Sequence, residues 1–178
     1  LANHKGSVFG SLDHKQPSQK LFETLIYDKV KDLKTGEPIF VEAESNKIGN
    51  LHIPKEFWKL MKKSPQIELL ATVEQRAQFL VEEYSEITTD LDLLEKQIRS
   101  LSNLAGHKVV QSWLRMAKNK EFIELAKQLI EKHYDPRYKR GLLRKKKEVF
   151  ATLKLDDISQ KGLSLMADRI LRTANNKM

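Results

Sequence analysis

Three short stretches hold the residues best suited to chemistry. In "NHKGS", residues 3–7, an imidazole and an ammonium group sit beside glycine and serine. Lys5 could meet a phosphate as a point charge, and Gly6 would let the backbone approach it closely. His4 could trade a proton near neutral pH. A polar connecting loop would have the same composition, and the phosphate-loop pattern G-x-x-x-x-G-K-[ST] occurs nowhere in the chain. In "PIFVEAES", the apolar run Ile39 to Val41 leads straight into Glu42 and Glu44. If this run is a strand, its period of two puts both carboxylates on one side at the carboxyl end. Acids there could hold Mg²⁺ through water or position a nucleophile, although an ordinary strand end with solvated acids reads alike. The third stretch, "DPRYKRGLLRKKKE", gathers Arg137, Lys139, Arg140, Arg144, Lys145, Lys146 and Lys147, with Tyr134 and Tyr138 around its start. Aromatic rings among cations can stack on unpaired bases; packing of a loop on the core is the alternative. Arg76, one turn into the helical pattern "TVEQRAQFLVEE", could reach an anion or pair with a nearby acid.

Bulk properties narrow the classes. The chain has 178 residues and a net charge of +8, and the excess is concentrated in the third stretch while 82–95 is acid-rich. Such a local cluster favours a polyanion, most simply nucleic acid, unless it is only a solvated surface run. The absence of cysteine excludes disulfides, zinc–thiolate sites and a cysteine nucleophile within these residues. The five histidines show no metal-ligand spacing, so no metal site is expected. No apolar run approaches the roughly 18 residues a membrane span needs. The expectation is a soluble, cytoplasmic protein with no membrane partner.

The elements that must position these residues follow from hydrophobic period. Ser18 caps a predicted helix whose apolar positions, Leu21, Phe22, Leu25 and Ile26, recur at three and four. Strands are predicted at "PIFVEAES", "QIELLAT" and "EVFATLKL", with a turn at "KIGNLHIP" and a helix from Pro54 to Met61. Thr72 and Gln75 form a capping signal for the next helix. Helices are expected over 89–103, 107–118 and 120–133, the last capped by Asn119. "YDPRYKRG" should break the helices, and Asp156 or Asp157 should cap the final one. Alternating strands and helices predict an α/β fold with an incomplete parallel sheet, flanking helices and an inserted helical subdomain. Residues 1–84 and 145–178 would form the α/β domain, and 85–144 the helical insertion with the basic segment. Three strands make a thin parallel sheet.

Taken together, "LANHKGSVFG" with "QPSQKLFE", then "VEAESNKIGNLHIP", "EQRAQFLVEEY" and "YDPRY" resemble the bacterial tRNA 2-selenouridine synthase family. The likeness runs from Leu1 to about Tyr138. It implies a P-loop-NTPase-like domain, truncated at its N-terminus, whose rhodanese-like domain, catalytic cysteine and P-loop would lie upstream; the chain alone would then be inactive. It also implies a two-stage reaction on tRNA. The 2-thiouridine at the wobble position is geranylated on sulfur by geranyl diphosphate, and selenophosphate then displaces the geranylthio group. Neither needs a cofactor from this chain, with Mg²⁺ possible. By the same likeness Asn3, His4, Lys5, Gly6 and Ser7 would line the phosphate side of the donor pocket, beside Glu42 and Glu44. Lys47 and Arg76 would neutralise phosphate charge. Family members often carry Arg where Lys5 and Lys47 stand, and Lys keeps the charge without the bidentate fork. The basic segment would follow the tRNA backbone. Two rival readings share these features: a small nucleotide-dependent phosphotransferase and a non-catalytic RNA-binding module.

Overall fold

The computed structural model describes residues 1–4, 15–34, 36, 38–43, 45–143 and 149–175, and for 140–143 the backbone alone. The fold is α/β with helix predominating. The chain divides into two compact units, Leu1–Gln66 and Ile67–Met178.

In the first unit, Ser18 caps α1 (Gln19–Lys31) by accepting the Leu21 N–H at 3.2 Å, as the sequence predicts. The turn at "KIGNLHIP" is the tip of a small antiparallel hairpin, β1 (Lys47–Ile48) and β2 (Leu51–His52), with Lys47 opposite His52 and Ile48 opposite Leu51. Gly49 turns the chain with φ +60°, a conformation that side chains with a Cβ seldom adopt. Pro54 sits just ahead of α2 (Lys55–Lys63). Phe22, Leu51 and Met61, one from each of α1, β2 and α2, are buried.

The strand expected at 39–41 is absent. Residues 38–43 are irregular, and Ile39, Phe40 and Val41 are 52%, 47% and 45% exposed. A strand exists only through a partner that takes up its backbone N–H and C=O groups. Among the described residues none pairs with this stretch, so its apolar composition alone does not extend it.

In the second unit, β3 (Gln66–Leu70) and β4 (Val149–Lys154) form a small parallel sheet. Leu155 donates its N–H to the Leu70 carbonyl at 2.7 Å, holding the two carboxyl ends level. Leu153, Leu155 and Met166 form a core against Ile67, Ala71, Ile158 and Ile170, which seats α10 (Gln160–Asn175) on the strands. Ser159, not Asp156 or Asp157, caps α10: its hydroxyl accepts the Gly162 N–H at 3.2 Å. Asp157 instead holds Ser159 by its hydroxyl and its N–H. Two acids within three residues of a serine make the cap ambiguous in the sequence.

The remaining helices are α3 (Val73–Glu83), α4 (Ser85–Thr89), α5 (Leu91–Ser100), α6 (Ser102–Ala105), α7 (His107–Lys118), α8 (Phe122–Leu129) and α9 (Asp135–Leu143). The expected helix 89–103 is thus several pieces, while α7 matches its prediction. Asn119 ends α7 rather than starting α8, and Lys120 follows it with φ +59°. Between α8 and α9 lies a π-helical turn, Ile130–Tyr134, in which the Asp135 N–H bonds the Ile130 carbonyl. "DPRYKR" is therefore helical, not a break. The chain is already helical ahead of Pro136, and the π turn interrupts the i→i−4 series just before the residue that lacks an N–H.

Core residues of the helical part include Trp113 and Ile98, both 0% exposed, with Leu101 and Ile130. Helices α3 and α8 meet through Ala77, Ala126 and Ile130, with Val73, Leu80 and Val81 around them. Small side chains there let the two axes approach closely.

Gly162 is held to glycine by space: a Cβ added there would fall 2.3 Å from the Asp157 carbonyl oxygen. Gly162→Ala is expected to lower unfolding free energy in a urea titration by about 1–3 kcal/mol, the usual cost of overpacking. The exposed, uncrowded Gly36→Ala differs in kind, since its penalty comes from φ +95° alone.

Candidate functional site

The first unit brings two motifs together through Gln16. Its side-chain amide donates to the Ala2 carbonyl at 3.1 Å and to the Ile48 carbonyl at 2.9 Å, and its oxygen accepts the Asn50 N–H at 2.7 Å. The start of the "NHKGS" stretch is thereby tied to the hairpin that bears Lys47. Asn3 lies exposed in the left-handed region with φ 48°, which asparagine tolerates better than most residues. His4 is half-buried, and its Cδ2 lies 2.7 Å from where a Cβ on Gly49 would stand. Gln19 adds a second tie: it donates to the His52 carbonyl at 2.8 Å and accepts the His52 N–H at 2.9 Å. Lys47 is exposed on β1, its N–H received by the Ser45 hydroxyl at 3.1 Å.

Other expected residues of this unit are less fixed. Glu42 is exposed on irregular chain, not at a strand's end. Lys5, Gly6, Ser7 and Glu44 lie outside the described residues. Among the described residues, no group of three or more His, Asp or Glu side chains converges as a metal site would require.

In the second unit the basic segment starts on a helix. Arg137, Tyr138 and Lys139 are exposed on α9, and Tyr134 is half-buried, edge-on to the His133 ring with centroids 5.1 Å apart. The side chain of Arg140, and Arg144, Lys145, Lys146 and Lys147, lie outside the description.

Arg76 takes the acid-paired course. Its two terminal nitrogens donate to the two oxygens of Asp135 at 2.7 and 2.9 Å, a bidentate pair joining α3 to the first residue of α9. Arg76 holds the Asp135 carboxyl below the usual carboxylate range, mainly by these hydrogen bonds, with Lys139 adding to the effect. Burial pushes the His133 imidazole below its ordinary value, and Arg137, four residues on, acts in the same direction.

Residue types alone did not point to Gln16, Gln19 or Asp135. Glutamine has no reactive signature, and Asp135 read as part of a turn. The only available hint was position, each lying inside or beside a motif.

Comparison with known proteins agrees with the resemblance. The family model for the tRNA 2-selenouridine synthase AAA domain matches residues 1–102. The chain belongs to that family. Its relatives include the tRNA 2-selenouridine synthases of Cupriavidus pinatubonensis and Shewanella denitrificans. The first is 34% identical over 119 residues, 66% of this chain and 31% of the relative. The second is 28% identical over 177 residues, 84% of this chain and 48% of the relative. That of Hydrogenovibrio crunogenus is 40% identical over 88 residues, 48% of this chain and 24% of the relative. The chain thus spans less than half the length of these relatives. No solved structure matches. No helix among the described residues is long and apolar enough to cross a membrane.

The Asp135 shift has a pH consequence. Its folded-state value lies below the unfolded one, so the pair's stabilisation is complete above about pH 4 and drains as pH falls through the lower folded value. Asp135→Asn should flatten this acid limb when unfolding free energy is measured by urea titration from about pH 5 down to 2. An unchanged limb would show that the carboxylate is not paired in solution.

Proposed function

We propose that the protein carrying this chain replaces sulfur by selenium in the wobble 2-thiouridine of tRNA. Geranyl diphosphate first alkylates the sulfur, releasing diphosphate. The selenium of selenophosphate then attacks C2 of the base and expels the geranylthio group as the thiol, and water cleaves the Se–P bond, releasing phosphate and leaving 2-selenouridine. The observation that carries this reading is the family match over 1–102, which contains both the "LANHKGS" and the "VEAESNKIGNLHIP" motifs. The Gln16 hydrogen bonds support it by joining those motifs through their backbones.

In this reading the first unit supplies one wall of a pocket for phosphate-bearing donors, within a P-loop-like α/β domain. Asn3, His4, Lys5, Gly6 and Ser7 face the phosphate, with Lys47 adding charge. Both donors carry phosphate, so a cationic, glycine-bearing loop suits either. Glu42 and Glu44 orient or deprotonate a reacting group, and His4 is a further candidate for moving a proton. The second unit supplies the tRNA surface. Arg137, Lys139, Arg140 and Arg144 to Lys147 meet backbone phosphates, and Tyr134 and Tyr138 offer rings for unpaired bases.

Two measurements test this. Formation of 2-selenouridine, followed by mass spectrometry of digested tRNA, should fall about 10–100-fold in Glu42→Gln if the carboxylate acts in proton transfer. Lys47→Ala should instead raise the concentration of selenophosphate or geranyl diphosphate needed, with the maximal rate less affected. If both variants modify tRNA at the parent rate, the pocket assignment is wrong. Separately, tRNA affinity should fall steeply with salt, and Arg137→Ala and Lys139→Ala should each reduce the log–log slope by about one. A flat salt titration would remove the tRNA surface from the second unit.

A further inference from the structure

The basic helix α9 does not simply continue α8. The π turn at Ile130–Tyr134 amounts to one extra residue in the helical path. With 3.6 residues per turn, that extra residue rotates everything downstream by about 100° around the axis. The direction in which Arg137, Tyr138 and Lys139 project is therefore set at this turn.

Two contacts hold the turn. Ile130, its first residue, is 2% exposed and belongs to the buried cluster with Ala77 and Ala126 where α3 meets α8. Asp135, immediately after it, is gripped by both terminal nitrogens of Arg76, the residue next to Ala77 on α3. Helix α3 is itself fixed to the sheet. Gln75 closes the capping box with Thr72 and donates to the carbonyls of Leu155 and Asp156 at 3.3 and 3.0 Å. A continuous path thus runs from the carboxyl end of β4, through the first turn of α3, to the start of the basic helix.

We propose that Arg76 is a positioning residue for tRNA binding: through Asp135 it fixes the rotation of α9 that presents Arg137, Tyr138 and Lys139 to the tRNA. This rests on the assignment of α9 as a tRNA surface. It differs from direct phosphate contact by Arg76, since the guanidinium is aimed at Asp135 and acts on α9 through that carboxylate.

The two ideas give opposite signs. Asp135 is an anion near a surface meant for a polyanion. By charge alone, Asp135→Asn should strengthen tRNA binding and Arg76→Gln should weaken it. If the pair positions α9, both variants weaken binding, each by about three- to tenfold, and the double variant is no worse than either single one. Arg76→Lys, which keeps the charge and loses the fork, should weaken binding as well.

The experiment is tRNA affinity of the full-length protein at several salt concentrations, with melting temperature and circular dichroism recorded for each variant. Arg76→Lys serves where a neutral variant fails to fold. Asp135→Asn binding tRNA as tightly as the parent, or more tightly, overturns the proposal, as does additive loss in the double variant. Arg137→Ala and Lys139→Ala separate the two layers. If they leave affinity unchanged, the tRNA surface itself is misplaced and this inference falls with it. If they weaken binding while the Arg76 and Asp135 variants do not, only the positioning role fails.

Discussion

A strand two residues long cannot satisfy its own backbone, and this constraint governs how the described parts of the molecule are joined. Each outward peptide group bonds either water or another part of the chain, and leaving one buried without a partner costs about 1–3 kcal/mol. Glutamine supplies the partners here. Its side-chain amide has the same donor and acceptor as a peptide unit, on a stem long enough to reach across a gap. Gln19 takes both the N–H and the carbonyl of His52, as a neighbouring antiparallel strand would. Gln16 does the same for Ile48 and Asn50 while also holding Ala2. Gln75 caps α3 with its oxygen and holds the end of β4 with its nitrogen. A glutamate in any of these places would retain the acceptor and lose the donor.

The second unit adds a packing constraint. Ala77 at 0% exposure and Ala126 at 7% leave α3 and α8 in close contact, with Ile130 filling the space beyond. A larger side chain at position 77 would push the helices apart. It would also move Arg76, one residue away, from Asp135. The apolar contact and the ion pair are thus parts of one arrangement. Burial sets the spacing of the helices, and the guanidinium fork sets the angle.

Much of this was legible in the sequence where local and global preferences coincide. The capping pair Thr72 and Gln75, the Ser18 cap, the helix 107–118 and the strands within "QIELLAT" and "EVFATLKL" all appear as read. The failures come from tertiary competition. Ile39 to Val41 has strand composition without a described partner. Pro136 looks like a helix breaker, yet the π turn just before it already interrupts the i→i−4 series where its N–H is missing. The π turn left no signal, because an inserted residue shifts the hydrophobic period without erasing it. Of the candidate site, the loop and the acids were proposed from residue type, and the family match covers both motifs. The glutamine ties were not, since no spacing rule predicts a side chain bonding to backbone 32 or 34 residues away.

Magnitudes suggest what the Arg76–Asp135 pair is for. A charge-assisted hydrogen bond contributes about 1.5–3 kcal/mol. Against this stands the desolvation of two charges that are 37% and 28% exposed. The Nε of Arg76 is buried and, among the described residues, finds no hydrogen-bond partner. That omission alone costs about 1–3 kcal/mol. Partial exposure of both groups and the unpartnered Nε thus reduce what the pair adds to folding. A purely apolar contact between α3 and α9 could match its stability. What it could not match is direction, because a planar fork on a carboxylate permits one relative orientation and grease permits many. The pair is better understood as setting an angle than as holding the fold together, and the angle it sets is that of the helix carrying the exposed cations.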